Sequence, residues 1–503
     1  MLILITILVA LFSGIYLIGQ RLLWGPLSHI PGPKLAALSG LYEFYYDVVR
    51  KGPFTWKINE LHDRYGEIVR ISPVEVHIRD SSFLDSAFPL SHARPVEKWP
   101  PAMRMFGSRS RAEATKTQAY RNSLPGKFFS KTAANLHAAK MQARLRRLVA
   151  RLDPLIGTGT VVNLTDVIGG LMQDFILELC FGCCHENVDT KDFGSRQYHM
   201  NLDPLRWIHF YANIFPLMRV VEKLPSSILR LVAPELADLP LLRQQWRSLF
   251  QEMLASKDEQ HNTLFAHLYR ESPSLDMPGN EERMIGEAAA FVGAGSLTPT
   301  EAIKNTIYFV FADERVRDLA VTEIEQAFLF DDVELGLEKL QKLPYLSAIM
   351  HESLRLSHGV PHRLQRIHKQ TPVLYKSPTS GQEYLIPPGT PVGMTSSFVC
   401  EDPAKFPKPR EFLPERWTHL SPPEQIKTFQ DEMIVFGKGG RNCVGINIAY
   451  AAMYTVVGAW LRRYGNSTRL LDVERARDID ASHDFFIAGV SKASPGLLIC
   501  LER

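Results

Sequence analysis

The chain has 503 residues and a mass of 57.0 kDa, of which 45% are hydrophobic and 22% charged. That composition supplies a sizeable core, and 33 Pro with 32 Gly exclude disorder or a long coiled coil as the main character. Basic residues number 57 against 54 acidic ones, which gives no footing for nucleic-acid binding, and six cysteines are too few for a disulfide scaffold.

Residues 1–20 carry no charge and are mostly Leu, Ile, Val, Ala, Phe or Tyr. Twenty helical residues span about 30 Å, enough to cross a bilayer's hydrocarbon. The first basic residue, Arg21, follows the apolar stretch, and the positive-inside rule leaves the remainder in the cytoplasm. A cleaved leader would want a basic start and a small-x-small site, and neither is clear. The expected organisation is an anchor over 1–23, a proline-rich hinge over 24–34 containing Pro31-Gly32-Pro33, and one body over 35–503.

Within the body, residues 55–65 read as a helix, and 67–72 and 74–78 as two short strands around Pro73. Residues 135–152 form a basic amphipathic pattern. The aromatic-rich stretch 201–242 suits core, a lid or a second membrane contact. Long helical patterns follow at 281–311, 344–356 and 444–464, while 387–417 is irregular and holds seven prolines. Long helices with few, short strands predict a mainly α fold with small β-sheets (α+β). Cys180, Cys183, Cys184 and His185 lack the Cys-x-x-Cys-His order of covalent haem attachment and a second pair for zinc, so they read as structural.

The stretch Phe436-Gly-Lys-Gly439-Gly-Arg441-Asn-Cys443-Val-Gly445 carries the chemistry. Its glycines admit close backbone approach and positive φ. Arg441 can pair with a carboxylate. Cys443 precedes a helix whose N-terminal N–H groups and dipole favour a thiolate. A thiolate, an arginine and a bare backbone suit axial ligation of a haem bearing propionates. Phe-x-x-Gly-x-Arg-x-Cys-x-Gly resembles the haem-binding loop of the cytochrome P450 haem-thiolate monooxygenases. A chance match of five fixed residues is on the order of one in ten thousand. His351-Glu352-Ser-Leu-Arg355 is similar to the family's Glu-x-x-Arg helix, and Phe412-Leu-Pro414-Glu415-Arg416-Trp417 to its following meander. The N-terminal pattern is most similar to membrane-bound fungal members of specialised metabolism.

The resemblance implies haem b held by Cys443 as axial iron ligand, with Phe436, Gly439, Arg441, Gly445, Arg366 and Arg121 around it and Arg363 a weaker match. It implies a structural network of Glu352, Arg355 and Arg416. Ala294-Gly295-Ser296-Leu297-Thr298-Pro299 resembles the family's oxygen-side helix, with Gly295, Ser296 and Thr298 as catalytic positions. Pro299 removes an N–H, which predicts a local opening at the Gly295 carbonyl. Phe291, Ala294, Val360 and Phe486 are substrate-pocket candidates. The implied partners are an NADPH-dependent reductase, dioxygen, a lipophilic terpenoid or polyketide-type substrate and the endoplasmic reticulum membrane. Leu297 stands where the family usually has an acid, which opens an alternative: isomerisation, dehydration or coupling without net oxygen insertion. Gln118-Ala-Tyr-Arg121-Asn122 matches poorly, which keeps a haem protein without turnover as a third reading.

Overall fold

A computed structural model describes residues 2–89, 96–102, 128–183, 185–221, 223–255, 263–270, 280–328, 335–418 and 421–503. The main core is helix on helix. Its axis is the helix Asn280–Phe311, which packs on Leu164–Phe181, Pro344–Ser357 and Ile446–Tyr464. Leu164–Phe181 is buried nearly all round, as a helix without a polar face requires. Its closeness to the central helix depends on Gly295: a Cβ there would lie 2.5 Å from Ile176 Cδ1. The helix Lys131–Leu152 starts at Ser130, whose hydroxyl accepts from the Ala133 N–H, and buries Ala134, Ala138, Met141, Leu145, Leu148 and Leu152. That stripe packs on Ile446–Tyr464.

The sheets are small and lie at the margins. A five-stranded sheet runs in the order Ile68–Arg70, Val76–Ile78, Pro391–Gly393, Arg366–His368, Val96–Lys98. Only the Val76–Ile78 and Pro391–Gly393 pairing is parallel. A second apolar cluster lies against it, with Ile68, Val76, Ile78, Phe83, Phe88, Val392 and Met394. The hairpin His483–Phe485 and Ile487–Gly489 is a separate two-stranded sheet with Phe486 alone at its tip.

The N-terminal helix Leu2–Gly19 continues as a wider helical turn, Gln20–Trp24. The apolar span Ile3–Trp24 has a mean hydropathy of 2.2 and only 6% of it is buried. Residues 24–34, expected as a hinge, are pinned instead. Leu27 and Ile30 are buried in the second cluster, and Pro31 O accepts from the Arg70 N–H at 2.7 Å. The Arg70 guanidinium also donates to Arg21 O at 2.6 Å. Burial outweighs the stiffness of the prolines here.

The stretch 201–242 becomes short helices with a cluster of their own: Tyr211, Met218, Leu229, Ala233, Leu236 and Ala237. Leu217, Val220 and Leu231 point outward, Leu231 at 85% exposure.

Candidate active site

The cysteine loop lies between Met433 and the helix Ile446–Tyr464. The Cys443 N–H donates to Phe436 O at 2.7 Å and closes the loop. Gly437 and Gly439 have φ of +69° and +72°, a region that favours glycine. A Cβ on Gly439 would meet Phe88 O at 2.4 Å, so the loop presses on the Phe88 backbone. A Cβ on Gly445 would lie 3.9 Å from Cys443 Sγ, so this glycine keeps the sulfur's flank bare. Cys443 is exposed, whereas Cys180, Cys400 and Cys500 are buried, and burial drives the Cys400 thiol up to about 12. The donor set and the glycine cradle therefore fit a flat group carrying an iron on a sulfur.

Behind the loop is a buried charge network. Arg355 grips Glu352 in bidentate fashion, Nε to Oε2 at 2.9 Å and Nη2 to Oε1 at 2.8 Å, with both side chains fully buried. Arg416 Nε donates to Glu352 Oε1 at 3.1 Å. The Leu413 N–H (3.0 Å) and the Trp417 indole N–H (2.9 Å) complete five donors to one carboxylate. The remaining guanidinium protons go to carbonyls: Arg355 to Cys400, Pro409 and Glu411, and Arg416 to Lys408. The expected triad is thus assembled from the helix Pro344–Ser357 and the meander. Trp417 is a further member, and its N–H three residues after Pro414 was the signal for it. The His351 ring stacks on Trp417 at 5.1 Å.

On the central helix, Ala294 is exposed and Thr298 half-buried, while Val292, Leu297 and Ile303 around them are buried. At 100° per residue Phe291, Ala294 and Thr298 share one face. Ser296 lies on the opposite face, fully buried, and its hydroxyl donates to Val292 O at 2.7 Å. Ser296 is thereby separated from Thr298. Gly295 also differs from expectation: its missing side chain serves contact with Ile176. The helix continues through Pro299, which has no N–H to offer the Gly295 carbonyl. Thr298 donates to Ala294 O at 2.8 Å and Thr300 to Ser296 O at 2.7 Å, so hydroxyls engage carbonyls one turn back. With its proton committed, Thr298 Oγ1 keeps its lone pairs for an outside donor. Leu297 packs on Tyr198 and Ile487.

Two of the expected cations lie near the strand Val96–Lys98. Arg366 is buried and stands opposite Lys98 in the sheet, over the Phe88 ring at 5.0 Å. Arg441 is half-buried, and desolvation lowers its pKa against the pull of neighbouring Glu97. Arg363 is committed elsewhere: it is buried, with Nε 2.8 Å from Glu75 Oε1 and Nη2 on Glu43. Arg121 lies outside the described residues. Of the pocket candidates, Phe291 stacks on Phe129 at 5.9 Å, and Phe486 packs against the Tyr198–Leu297–Ile487 group. Val360 is half-buried, its carbonyl 3.3 Å from Ser396 Oγ. Among the described residues, no group of three or more His, Cys, Asp or Glu is placed to hold a metal ion directly.

An accessible cysteine in a glycine cradle, two residues after an arginine and just before a long helix, marks a haem-thiolate protein. The cytochrome P450 family model matches residues 31–480, and the chain belongs to that family. It is 36% identical to an N-acetyltryptophan 6-hydroxylase of Emericella nidulans, covering 99% of this chain and 96% of the relative. A tryptophan 6-hydroxylase of Fusarium equiseti is 32% identical over 99% and 97% of the two chains. A fusicoccadiene C-8 hydroxylase of Alternaria brassicicola is 30% identical over 100% and 96%. The chain is a haem-dependent monooxygenase of the fungal secondary-metabolism type.

Proposed function

We propose that this P450 hydroxylates an apolar specialised metabolite, with Cys443 as the axial ligand and an NADPH-dependent reductase as electron source. The reaction takes one dioxygen, two electrons and two protons, inserts one oxygen into a C–H bond and releases the other as water. The bound haem supplies dioxygen activation, and the thiolate favours O–O cleavage. The observation that carries the reading is the accessible Cys443 in its glycine cradle. Arg441 and Arg366 are the propionate partners, joined by Arg121.

Thr298 accepts a hydrogen bond from a water through its free lone pairs and so holds that water as a proton donor. Leu297 cannot relay a proton. Glu301, one turn on and paired with Lys304, is the nearest carboxylate along the helix to do so. The apolar span Ile3–Trp24 anchors the chain in the endoplasmic reticulum membrane with the body cytoplasmic, and the outward Leu217, Val220 and Leu231 make a second contact. Residues 1–23 serve as the anchor and 35–503 as the haem-binding body.

Because two relatives are named as hydroxylases of N-acetyltryptophan and tryptophan, indole amino-acid derivatives are the first substrates to try. The fusicoccadiene hydroxylase keeps terpenoid scaffolds next, with polyketide-type scaffolds alongside. The test is expression with a reductase, feeding of that panel under oxygen-18 gas, and mass spectrometry. A product carrying one labelled oxygen, formed in step with NADPH consumption, supports the reading. Product formed without NADPH or oxygen consumption overturns it in favour of isomerisation or dehydration, the alternative that Leu297 motivates.

A further inference from the structure

The hairpin tip that carries Phe486 is held by an unusual use of one residue. Across the hairpin Phe485 pairs with Ile487, so Phe486 alone makes the turn. Its φ is +69°, a rare value for a bulky side chain and a strained one. Such a conformation persists only where the surroundings over-determine it. Asp484 does so with every polar atom it has. Its Oδ1 accepts the Phe486 N–H at 2.8 Å. Its Oδ2 accepts from Thr55 Oγ1 at 2.7 Å and from His362 Nδ1 at 2.9 Å. Its own N–H donates to Gly52 O at 3.0 Å, and its carbonyl accepts from His209 Nε2 at 2.5 Å.

Those partners come from separate parts of the chain. Thr55 is on the helix Phe54–Tyr65, His362 follows Pro344–Ser357, and His209 is on Ile208–Asn213. The second ring nitrogen of His209 faces Asp47 at 3.4 Å, which ties in the turn Tyr45–Val49. Asp484 is 1% exposed. Burial pushes its carboxyl up, but His362, His209 and Thr55 outweigh burial and hold it well below the usual range, so it is ionised. On the other side of the tip, Phe486 packs with Tyr198 and Leu297, and the His362 ring lies 6.0 Å from it.

We propose that Asp484 is a positioning residue for substrate recognition: it fixes the strained tip so that Phe486 forms a set wall beside the central helix, without itself touching substrate. This rests on the reading of Phe486 as part of the pocket, and goes beyond it by naming what sets its place. Loss of the carboxylate removes the Phe486 bond and two anchors together, and the tip relaxes.

The test uses the full-length holoenzyme and two haem-iron ligands that need no turnover, imidazole and 1-phenylimidazole, read by their absorbance shifts. Asp484→Ala and Phe486→Ala are each expected to change phenylimidazole affinity about fivefold or more, in the same direction, with imidazole within about twofold. The double variant should add nothing further, and Asp484→Asn, which keeps an acceptor for the Phe486 N–H, should restore part of the effect. Equal shifts for both azoles, no shift, or effects of the two variants that sum would overturn the proposal. If Asp484→Ala does not load haem, Thr55→Val removes one Oδ2 bond and is judged by the same criteria. Failure of the haem-thiolate reading would show separately, in the wild-type spectrum.

Discussion

Glu352→Gln isolates the buried network by removing one charge at constant shape. In the folded protein that carboxylate accepts five hydrogen bonds and is the shared counter-charge of Arg355 and Arg416, which are 0% and 8% exposed. The amide replaces an acceptor with a donor that faces other donors, and leaves two guanidinium groups without a counter-charge. Removing one partner of a buried pair costs roughly 3–5 kcal/mol, and total stability is about 5–15 kcal/mol. The folding equilibrium constant should therefore fall by roughly two to four powers of ten. The assay is a urea titration read by the thiolate-type spectrum of the reduced, CO-bound protein, with haem content measured in parallel. Lys57–Glu60 has the same i, i+3 spacing, but its side chains are 26% and 65% exposed. Lys57→Ala should cost no more than about 1 kcal/mol. If Glu352→Gln unfolds at the same denaturant concentration as Lys57→Ala, burial is not what gives this network its weight.

Gly439→Ala should cost about 1–3 kcal/mol and lower haem retention on purification, because it places a Cβ against Phe88 O at a φ of +72°. Thr298→Ala should divert NADPH consumption from product to peroxide, whereas Ser296→Ala, on the far face, should leave coupling unchanged; equal coupling in both variants would contradict the assignment of faces. Part of the acid sensitivity should trace to His62, which burial drives down to about 4 and whose Nε2 lies 2.7 Å from His77 Nδ1. A histidine with a depressed folded pKa stabilises above its unfolded value near 6.5, and that stability is lost as pH falls toward 4. Between about pH 7.5 and pH 5 the share from His62 is about 2 kcal/mol of lost stability, and His62→Asn should lessen the drop in the urea midpoint by that amount.

What the sequence showed follows from how local each signal is. The central helix, the loop glycines and the Glu352–Arg355 spacing depend on residues a few positions apart, so periodicity and turn chemistry expose them. The surroundings of Ser296 and Gly295 are set by distant residues instead. Both stand within three residues of Thr298 in sequence, but which helix face meets Ile176 is decided by a partner more than a hundred residues away. The Asp484 cluster was invisible for the same cause: Asp47, Thr55, His209, His362 and Asp484 meet only in space. The segment 24–34 read as a break because of its prolines, while the burial of Leu27 and Ile30 depends on strands that come later.

The central claim is that the Cys443 sulfur is the iron ligand, and Cys443→Ser tests it most directly. The account predicts that the purified variant, reduced and exposed to carbon monoxide, loses the thiolate-type absorption, while variants of Cys180, Cys400 or Cys500 that fold retain it. Persistence of that absorption with serine at 443 would contradict the account.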